Sequence, residues 1–466
     1  MLVPRTRLLF STAAVLVPFG GIAALMPDAA VVSFLLMGLF VVLALMDGVL
    51  AFGSLDGISV ELPKVTRLSK DRAANLDVLI KNERPRSREL RVGLPLPREI
   101  PSSQEDITTV LPVSAKLSRV RWACVPVRRG RFRVERCHLE GASPLGLWSV
   151  RGVSPVDSEL RVYPNLMEER STVSALFLRR GGFGAHVQRQ VGKGREFEKL
   201  REYAPGDGFE DIHWKATAKR GHPITKVFQI ERTQEVYVIV DASRLSARQE
   251  FQGPRFKARA SNPPEPPAQR ETLNLKPETS VLERYLTAAL VLGLAAEQQG
   301  DHFGLLTFSD RVHKFIRAKN GPDHYAACRD AIYTLQPRLV SPDFDELATF
   351  IRLRMRRRAL LIVLTALDDP LLAEQFTRSL DLFSRQHLVL VNMMQPPGAQ
   401  PLFSDSSVGS LDDVYQRLGG HVLWHNLREL DKTLQRRGVQ FTLLENERLC
   451  AQLVTNYFSV KRRQLI

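Results

Sequence analysis

The chain has 466 residues, 44% of them apolar and 25% charged. That is ordinary for folded protein, enough for about three domains, and it excludes a wholly disordered chain. With 29 Gly and 28 Pro in no fixed period, a collagen-like or low-complexity chain is excluded too. The net charge of +15 raises three partners: nucleic acid, anionic lipid or an acidic protein. Cys124, Cys137, Cys328 and Cys450 are scattered, and none forms CxxC. Neither a zinc ribbon nor a disulfide framework is indicated, and buried, reduced thiols fit a cytosolic setting.

Residues 8–26 and 29–46 carry no charge, and Asp28 lies in the short turn between the two runs. Each run, as a helix, approaches the hydrocarbon thickness of a bilayer. Pro18, Gly20 and Gly21 are tolerated in a transmembrane helix. Pro27 and Asp28 between the runs make residues 1–47 a tight transmembrane hairpin. Arg5 and Arg7 precede it, and the turn has no basic residue, so the positive-inside rule puts the N-terminus in the cytoplasm. Everything after Asp47 then also faces the cytoplasm from the inner membrane. The competing reading is a cleaved signal peptide, but no small-x-small cleavage site stands out near residues 23–27.

From 58 to 164 short alternating segments predict a β-sandwich: Asn75-Leu-Asp-Val-Leu-Ile-Lys81, Glu89-Leu-Arg-Val-Gly-Leu94 and Arg119-Val-Arg-Trp-Ala-Cys-Val-Pro-Val127. Arg128-Arg-Gly-Arg131 reads as a turn, and the arginines on alternating positions read as a solvated face. Residues 165–235 form a basic connector. From 236 to 466 the pattern is α/β. Continuous apolar strands are predicted at 236–240, 302–308, 359–365, 387–391 and 439–443, with a short partner strand at 312–316. Helices are predicted at 282–299 (capped by Thr279 or Ser280), 322–335, 343–358, 371–384, 411–418, 427–437 and 447–457. Such strands alternating with helices imply a mostly parallel sheet covered on both faces. Residues 249–277, centred on Asn262-Pro-Pro-Glu-Pro-Pro267, are too polar to bury a core and read as a disordered insertion.

The densest motif is Gly192-Lys-Gly-Arg-Glu-Phe197, then Leu200-Arg-Glu-Tyr-Ala-Pro-Gly-Asp207, Asp211-Ile-His-Trp-Lys-Ala-Thr-Ala-Lys219 and Phe228-Gln-Ile-Glu231. Arg201, Glu202, Asp207, Asp211, Lys215 and Lys219 can pair locally, and Trp214 offers a packing anchor at a domain junction. A catalytic alternative makes His213 a general base oriented by Asp211 or Asp207, but no nucleophile is identifiable beside it. Gly192 and Gly194 lack the Lys-Ser/Thr ending of a P-loop. At the end of strand 236–240, Asp241 and Ser243 are hard oxygen donors suited to Mg²⁺. His421 and His425 lie four apart but lack a third zinc ligand. Arg352, Arg354 and Arg356-Arg-Arg358 crowd a predicted helix end, where cations suit the helix dipole.

The motif resembles the signature of domain-of-unknown-function family 58, with Arg201, Glu202, Tyr203, Gly206, Asp207, His213, Trp214 and Lys215 on its fixed stretch. Ser143-Pro-Leu-Gly-Leu-Trp148 and Val162-Tyr-Pro164 resemble its lead-in. The α/β region resembles a von Willebrand factor type A domain, whose Asp-x-Ser-x-Ser loop binds Mg²⁺ with a Thr and often an Asp from later loops. Here Leu245 stands for the second Ser, Ser246 is one residue out of register, Ala366 replaces the Asp in Thr365-Ala-Leu-Asp-Asp369, and Ser341-Pro-Asp343 is a weak Thr-loop counterpart. The resemblance therefore implies a degenerate metal site, no cofactor beyond that Mg²⁺ candidate, and a MoxR-type AAA+ ATPase as partner. The expected role is a membrane-anchored, non-enzymatic adaptor in assembly or maturation of a membrane or envelope complex, its client unknown. The alternatives are a hydrolase using His213, or a charge-driven binder of anionic lipid or nucleic acid. No motif for specific nucleic-acid reading is present.

Overall fold

Two apolar helices open the chain. The computed structural model describes residues 1–84, 88–112, 115–167, 169, 190–204, 208–230, 234–250, 279–402, 404 and 410–463. It divides into two units, Met1–Asn165 and Leu166–Ile466. In the first, strand β1 (Leu2–Pro4) leads into α1 (Thr6–Leu25), a 3-10 turn at Pro27–Ala29 and α2 (Ala30–Ala51). Both helices are long and apolar enough to cross a membrane, and their large side chains point outward. Pro18 sits inside α1 without ending it.

Eight further strands follow: β2 (Ile58–Glu61), β3 (Val65–Ser69), β4 (Ala74–Asn82), β5 (Arg88–Gly93), β6 (Asp106–Leu111), β7 (Leu117–Cys124), β8 (Gly130–Ala142) and β9 (Trp148–Tyr163). One sheet runs β1-β9-β8-β5-β6, with β3 paired to β9, and the other runs β2-β4-β7. Period-two alternation sends Leu76, Val78 and Ile80 of β4, Val92 of β5, Trp122 of β7 and Leu160 of β9 into one shared core. The outward arginines find acids across the strands, as in Arg119–Asp77 at 2.7 Å and Arg151–Glu140 at 3.0 Å. Arg129 differs from these outward arginines. It lies in the turn before Gly130 and is buried.

Asp47 ties the helical pair to the sandwich. It lies on α2, is 1% exposed, and accepts hydrogen bonds from Ser143 Oγ at 2.6 Å, Leu145 N at 2.9 Å and Leu147 N at 3.3 Å. Trp148 Nε1 donates to the Ala44 carbonyl one turn earlier at 2.8 Å. Gly48 leaves room for that indole: a Cβ there would lie 3.3 Å from Nε1. The segment Ser143–Trp148 is thus a latch on the end of α2.

The second unit opens with a hairpin. β10 (Gln190–Glu202) pairs antiparallel with β11 (Ile224–Ile230), and a 3-10 turn at Phe209–Asp211 and helix α3 (Trp214–Arg220) lie between them. The sequence pattern of the connector had shown neither strand, because glycines and charges interrupt its alternation. The α/β body follows: β12 (Glu235–Asp241), β13 (Gln249–Glu250), β14 (Thr279–Ser280), α4 (Val281–Gln298), β15 (His302–Phe308), β16 (Val312–Lys319), α5 (Pro322–Ile332), α6 (Phe344–Arg354), β17 (Leu360–Leu364), α7 (Pro370–Leu380), β18 (Leu388–Met394), α8 (Leu411–Arg436), β19 (Gln440–Leu444) and α9 (Leu449–Arg462).

The sheet order is β16-β15-β12-β17-β18-β19. Every pair is parallel except β15–β16, so the sheet is mixed, with one antiparallel edge. Strand β12 shows why its sequence is continuously apolar. Val236, Val238 and Val240 join the layer holding α4 and α9, while Tyr237 and Ile239 join the layer holding α6 and α7. Ser280 caps α4, accepting from Glu283 N. The two helical pieces expected at 411–418 and 427–437 are one helix. Gly419 and Gly420 do not break α8, since Gly420 lets it cross the Gly398 carbonyl; a Cβ there would sit 2.0 Å from that oxygen. Helix α6 ends at Arg354, leaving Arg356–Arg358 in the link to β17. Of the expected insertion, Gln249–Glu250 pairs with Thr279–Ser280, and 251–277 lies outside the described residues.

All four cysteines are free and buried. Burial pushes the Cys137 thiol up to about 11 and Cys328 to about 12, which makes both unreactive as thiolates at neutral pH.

Asp47→Ala should loosen the latch, because two backbone N–H groups and one hydroxyl lose their acceptor, at about 1–3 kcal/mol for each group left buried and unpaired. Faster hydrogen exchange at Leu145 and Leu147, with the sandwich amides of β4 unchanged, is the expected readout. Unchanged exchange at both amides would show that Asp47 does not hold the turn.

Candidate functional site

In an open α/β sheet, ligand sites form where successive connections leave in opposite directions at the carboxyl ends of the strands. Here that point lies between β12, which continues to β15 on one side, and β17 on the other. Asp241 ends β12 there and is 1% exposed. Its Oδ1 accepts from Ser243 N at 2.8 Å, and its Oδ2 accepts from the Thr365 hydroxyl, just past β17, at 2.6 Å. Ser243 Oγ accepts from Leu245 N at 3.3 Å, and Ser246 Oγ donates to the Ser243 carbonyl at 2.8 Å. Burial pushes the Asp241 carboxyl above its ordinary value, opposed by the hydrogen bonds from Thr365 and Ser243.

Asp241 and Ser243 therefore come together as their spacing implies. Thr365 is the partner that sequence reasoning did not pair with them. Its signal was slight: a hydroxyl at the end of a buried strand beside another strand's terminal Asp. Asp241, Ser243 and Thr365 supply the oxygens that could face an ion, and all are engaged with one another or with the loop backbone. Leu245 is buried in the apolar layer rather than turned to the crevice, and Ala366 is buried too. Ser341 is exposed, and Asp343 caps α6 by accepting from Asp345 N and Glu346 N. Among the described residues, no group of three or more His, Cys, Asp or Glu could hold a metal.

The charge-dense motif folds as the β10–β11 hairpin with α3 inserted. Tyr203 N donates to the Pro223 carbonyl at 3.0 Å, and the Tyr203 ring lies 6.1 Å from Phe209. Glu202 lies 3.4 Å from His222. Gly206 and Asp207 lie outside the described residues. His213 donates its backbone N–H to Ile224 at 2.8 Å and caps α3, its Nδ1 accepting from Ala216 N at 3.0 Å. A neutral ring held this way carries its proton on Nε2 and has no lone pair left for a substrate proton, which counts against a general base. Among the described residues, no hydrogen bond joins Asp211 to His213.

Trp214, expected to pack at a domain junction, is 69% exposed. Helix α3 is held by backbone bonds and by Thr217 Oγ1, which accepts from Ile224 N at 3.0 Å, so its first residue turns outward. Lys215 and Arg201 are exposed as well. On α8, His421 stacks on Trp424 at 5.7 Å, and Arg428 lies over the same indole at 5.4 Å. That places His421 in an aromatic contact rather than in a ligand set with His425.

Residues 199–260 and 277–402 match the family described as Protein of unknown function DUF58. No curated protein matches the chain. Among solved structures, it is similar to proximal thread matrix protein 1 from the mussel byssus, at 12% identity over 47% of this chain and 44% of that one, with a TM-score of 0.23. It is similar to the conserved hypothetical protein BatB from Bacteroides thetaiotaomicron, at 11% identity over 43% of this chain and 99% of that one, with a TM-score of 0.23. An uncharacterized membrane spanning protein from Vibrio fischeri matches at 11% identity over 50% and 98%, with a TM-score of 0.17. These likenesses are too slight to carry a fold or a function across.

The raised Asp241 carboxyl sets a sign for stability against pH. The folded state holds this proton to higher pH than the unfolded chain, so the group's contribution is fullest below about pH 4 and declines as pH rises toward the folded value. The stability difference between wild type and Asp241→Asn should therefore move against the wild type as pH rises from 4 to 8, in thermal unfolding of the full chain in detergent. Asp241→Ala should lower stability across this range by about 1–3 kcal/mol, since the buried Ser243 amide loses its acceptor. A wild type that gains on Asp241→Asn with rising pH would reverse the sign.

Proposed function

We propose that the chain is a membrane-anchored interaction adaptor that works with a MoxR-type AAA+ ATPase in assembly or maturation of a membrane or envelope complex. The ATPase partnership rests on the resemblance of the stretch from Arg201 to Lys215 to the family signature. A type A-like reading of the α/β body is supported by its strand order, its antiparallel third strand and the Asp-x-Ser at the end of its first. In this reading Asp241 is a structural tie between strand ends, and Mg²⁺ is not needed.

The observation that carries the interaction role is on α8. The helix has 26 residues and a full capping box at Ser410 and Asp413. It is about 39 Å long, against about 23 Å for the seven residues of β18. Since α8 returns the chain to the start of β19, its first half lies at the carboxyl end of the sheet, beyond the crossing at Gly420. That half exposes Leu411, Val414, Tyr415, Leu418 and Val422, spaced to share one face. The residues α8 buries, Leu427, Leu430 and Leu434, lie roughly a third of a turn away around the axis. An apolar stripe on a helix capped at its own start suits a partner's groove.

Capture of the ATPase by the detergent-solubilised chain should fall at least tenfold with Leu418→Asp combined with Tyr415→Ser, while thermal stability stays within about 0.5 kcal/mol, as for surface changes. Undiminished capture would remove α8 from the interface.

In this reading both soluble units face the cytoplasm from the inner membrane, a topology supported by Arg5 and Arg7 ahead of the two apolar helices. Alkaline phosphatase fused to the C-terminus should accordingly be inactive, and a fluorescent protein at the same place should fluoresce. An active phosphatase would favour a cleaved leader instead.

A further inference from the structure

The opposite end of the α/β sheet has a different character. The ladder aligns Lys319, Phe303, Val236, Leu360 and Leu388 across the amino ends of the parallel strands. The antiparallel strand β16 therefore delivers Arg317 and Lys319 to this end. Helices α6, α7 and α8 each finish here before returning the chain to the sheet. The first of these links carries Arg354, Arg356, Arg357 and Arg358, the second Arg385, and the third Arg436 and Arg437, all exposed. Helix α9 ends here too, since Lys461 Nζ donates to Gln299 O at 3.2 Å and to Asp301 at 2.8 Å, which leaves Arg462 and Arg463 on the same rim.

Three acids at this end are already engaged. Asp301 takes Lys461, Glu235 lies 3.7 Å from Arg357, and Asp381 bonds Arg437. Arg352, Arg354, Arg356 and Arg385 have no acidic partner among the described residues. Helix dipoles favour one cation at each helix end, but they do not account for several successive arginines in one link. Leu353 and Leu382, both exposed, stand among them and add apolar contact to the charge.

We propose that this basic pole of the α/β unit docks on anionic lipid headgroups. The proposal rests on the membrane-anchored reading, which keeps a lipid surface within reach of the same chain at all times. Clustered Lys and Arg near a negatively charged leaflet are attracted additively, and the attraction fades within a Debye length. An acidic protein or a nucleic acid would need to be brought to the pole, whereas the headgroups are tethered to it through the hairpin.

The test uses the full chain in lipid nanodiscs, with a nitroxide on Leu353→Cys and, as reference, on Tyr415→Cys at the far end of the sheet. Co-migration of the chain with nanodiscs of neutral phosphatidylcholine checks the anchor separately. Replacing part of that lipid with phosphatidylglycerol should lower collisions of the Leu353 label with a water-soluble nickel chelate by about twofold or more, and leave the Tyr415 label unchanged. Salt at about 1 M, where the Debye length is about 3 Å, should restore access. The triple variant Arg354→Glu, Arg356→Glu, Arg385→Glu should abolish the effect. An anchored chain whose Leu353 label is equally accessible over both lipids overturns the proposal. So does protection that arises only on adding an acidic peptide or RNA. A chain that fails to co-migrate with neutral nanodiscs overturns the anchored reading instead.

Discussion

A buried carboxylate must find donors, and three of them organise this molecule. Asp47, Asp241 and Asp301 are each 1% exposed. Leaving such a charge unpaired in the interior costs more than any nearby packing recovers, so each gathers donors from distant parts of the chain. Asp47 takes Ser143, Leu145 and Leu147, about a hundred residues away. Asp241 joins its own loop to Thr365 across the switch point. Asp301 takes Gln234 N at 3.3 Å, Lys461 and the Tyr457 hydroxyl, whose own titration is pushed up by burial and by the carboxylate. One Asp thus fixes the helical pair to the sandwich, the second closes the carboxyl end of the sheet, and the third pins its amino end to the last helix.

The parallel sheet then gives its two ends opposite electrostatics. Apart from α5, which follows the antiparallel β16, helix N-termini gather at the carboxyl end, where Asp343, Asp369 and Ser410 serve as caps and Asp412 and Asp413 occupy a first turn. Helix C-termini gather at the amino end, beside the arginine-rich links. Each choice follows the macrodipole. Summed over the connections it makes a unit with a capped end and an arginine-rich one. The β12–β17 crevice lies at the capped end, and so does the overhanging half of α8.

The sequence was most legible where one physical signal dominated. Strands β12, β15, β17 and β18 are buried on both faces, and their unbroken apolar runs predicted them to within a residue or three. The sandwich was visible as alternation, and Ser280 as a cap. Legibility failed where two signals conflicted. Glycine and charge masked the pairing of β10 with β11. Gly419-Gly420 argued for a break in α8, because nothing local reveals that Gly398 passes beside it. Asp47 read only as the charge ending an apolar run, since its donors lie in a turn recognised for its resemblance and not for its geometry. Thr365 was hidden for the same reason, because a side chain–side chain bond between two strand ends has no sequence period.

The closed state of the Asp241 loop bears on where recognition can occur. A crevice at a switch point binds ligands when its polar groups point outward with bonds to spare. Here Leu245 has joined the core, and Asp241, Ser243 and Thr365 spend their bonds on one another, so the crevice is stiff and offers little free polarity. Stiffness has its own use, since it fixes the strand ends that carry the neighbouring loops. What those loops and α8 then present is apolar surface on a rigid base. A partner reading that surface would gain affinity from burial and register from helix spacing, with the sealed carboxylate beneath holding the frame still.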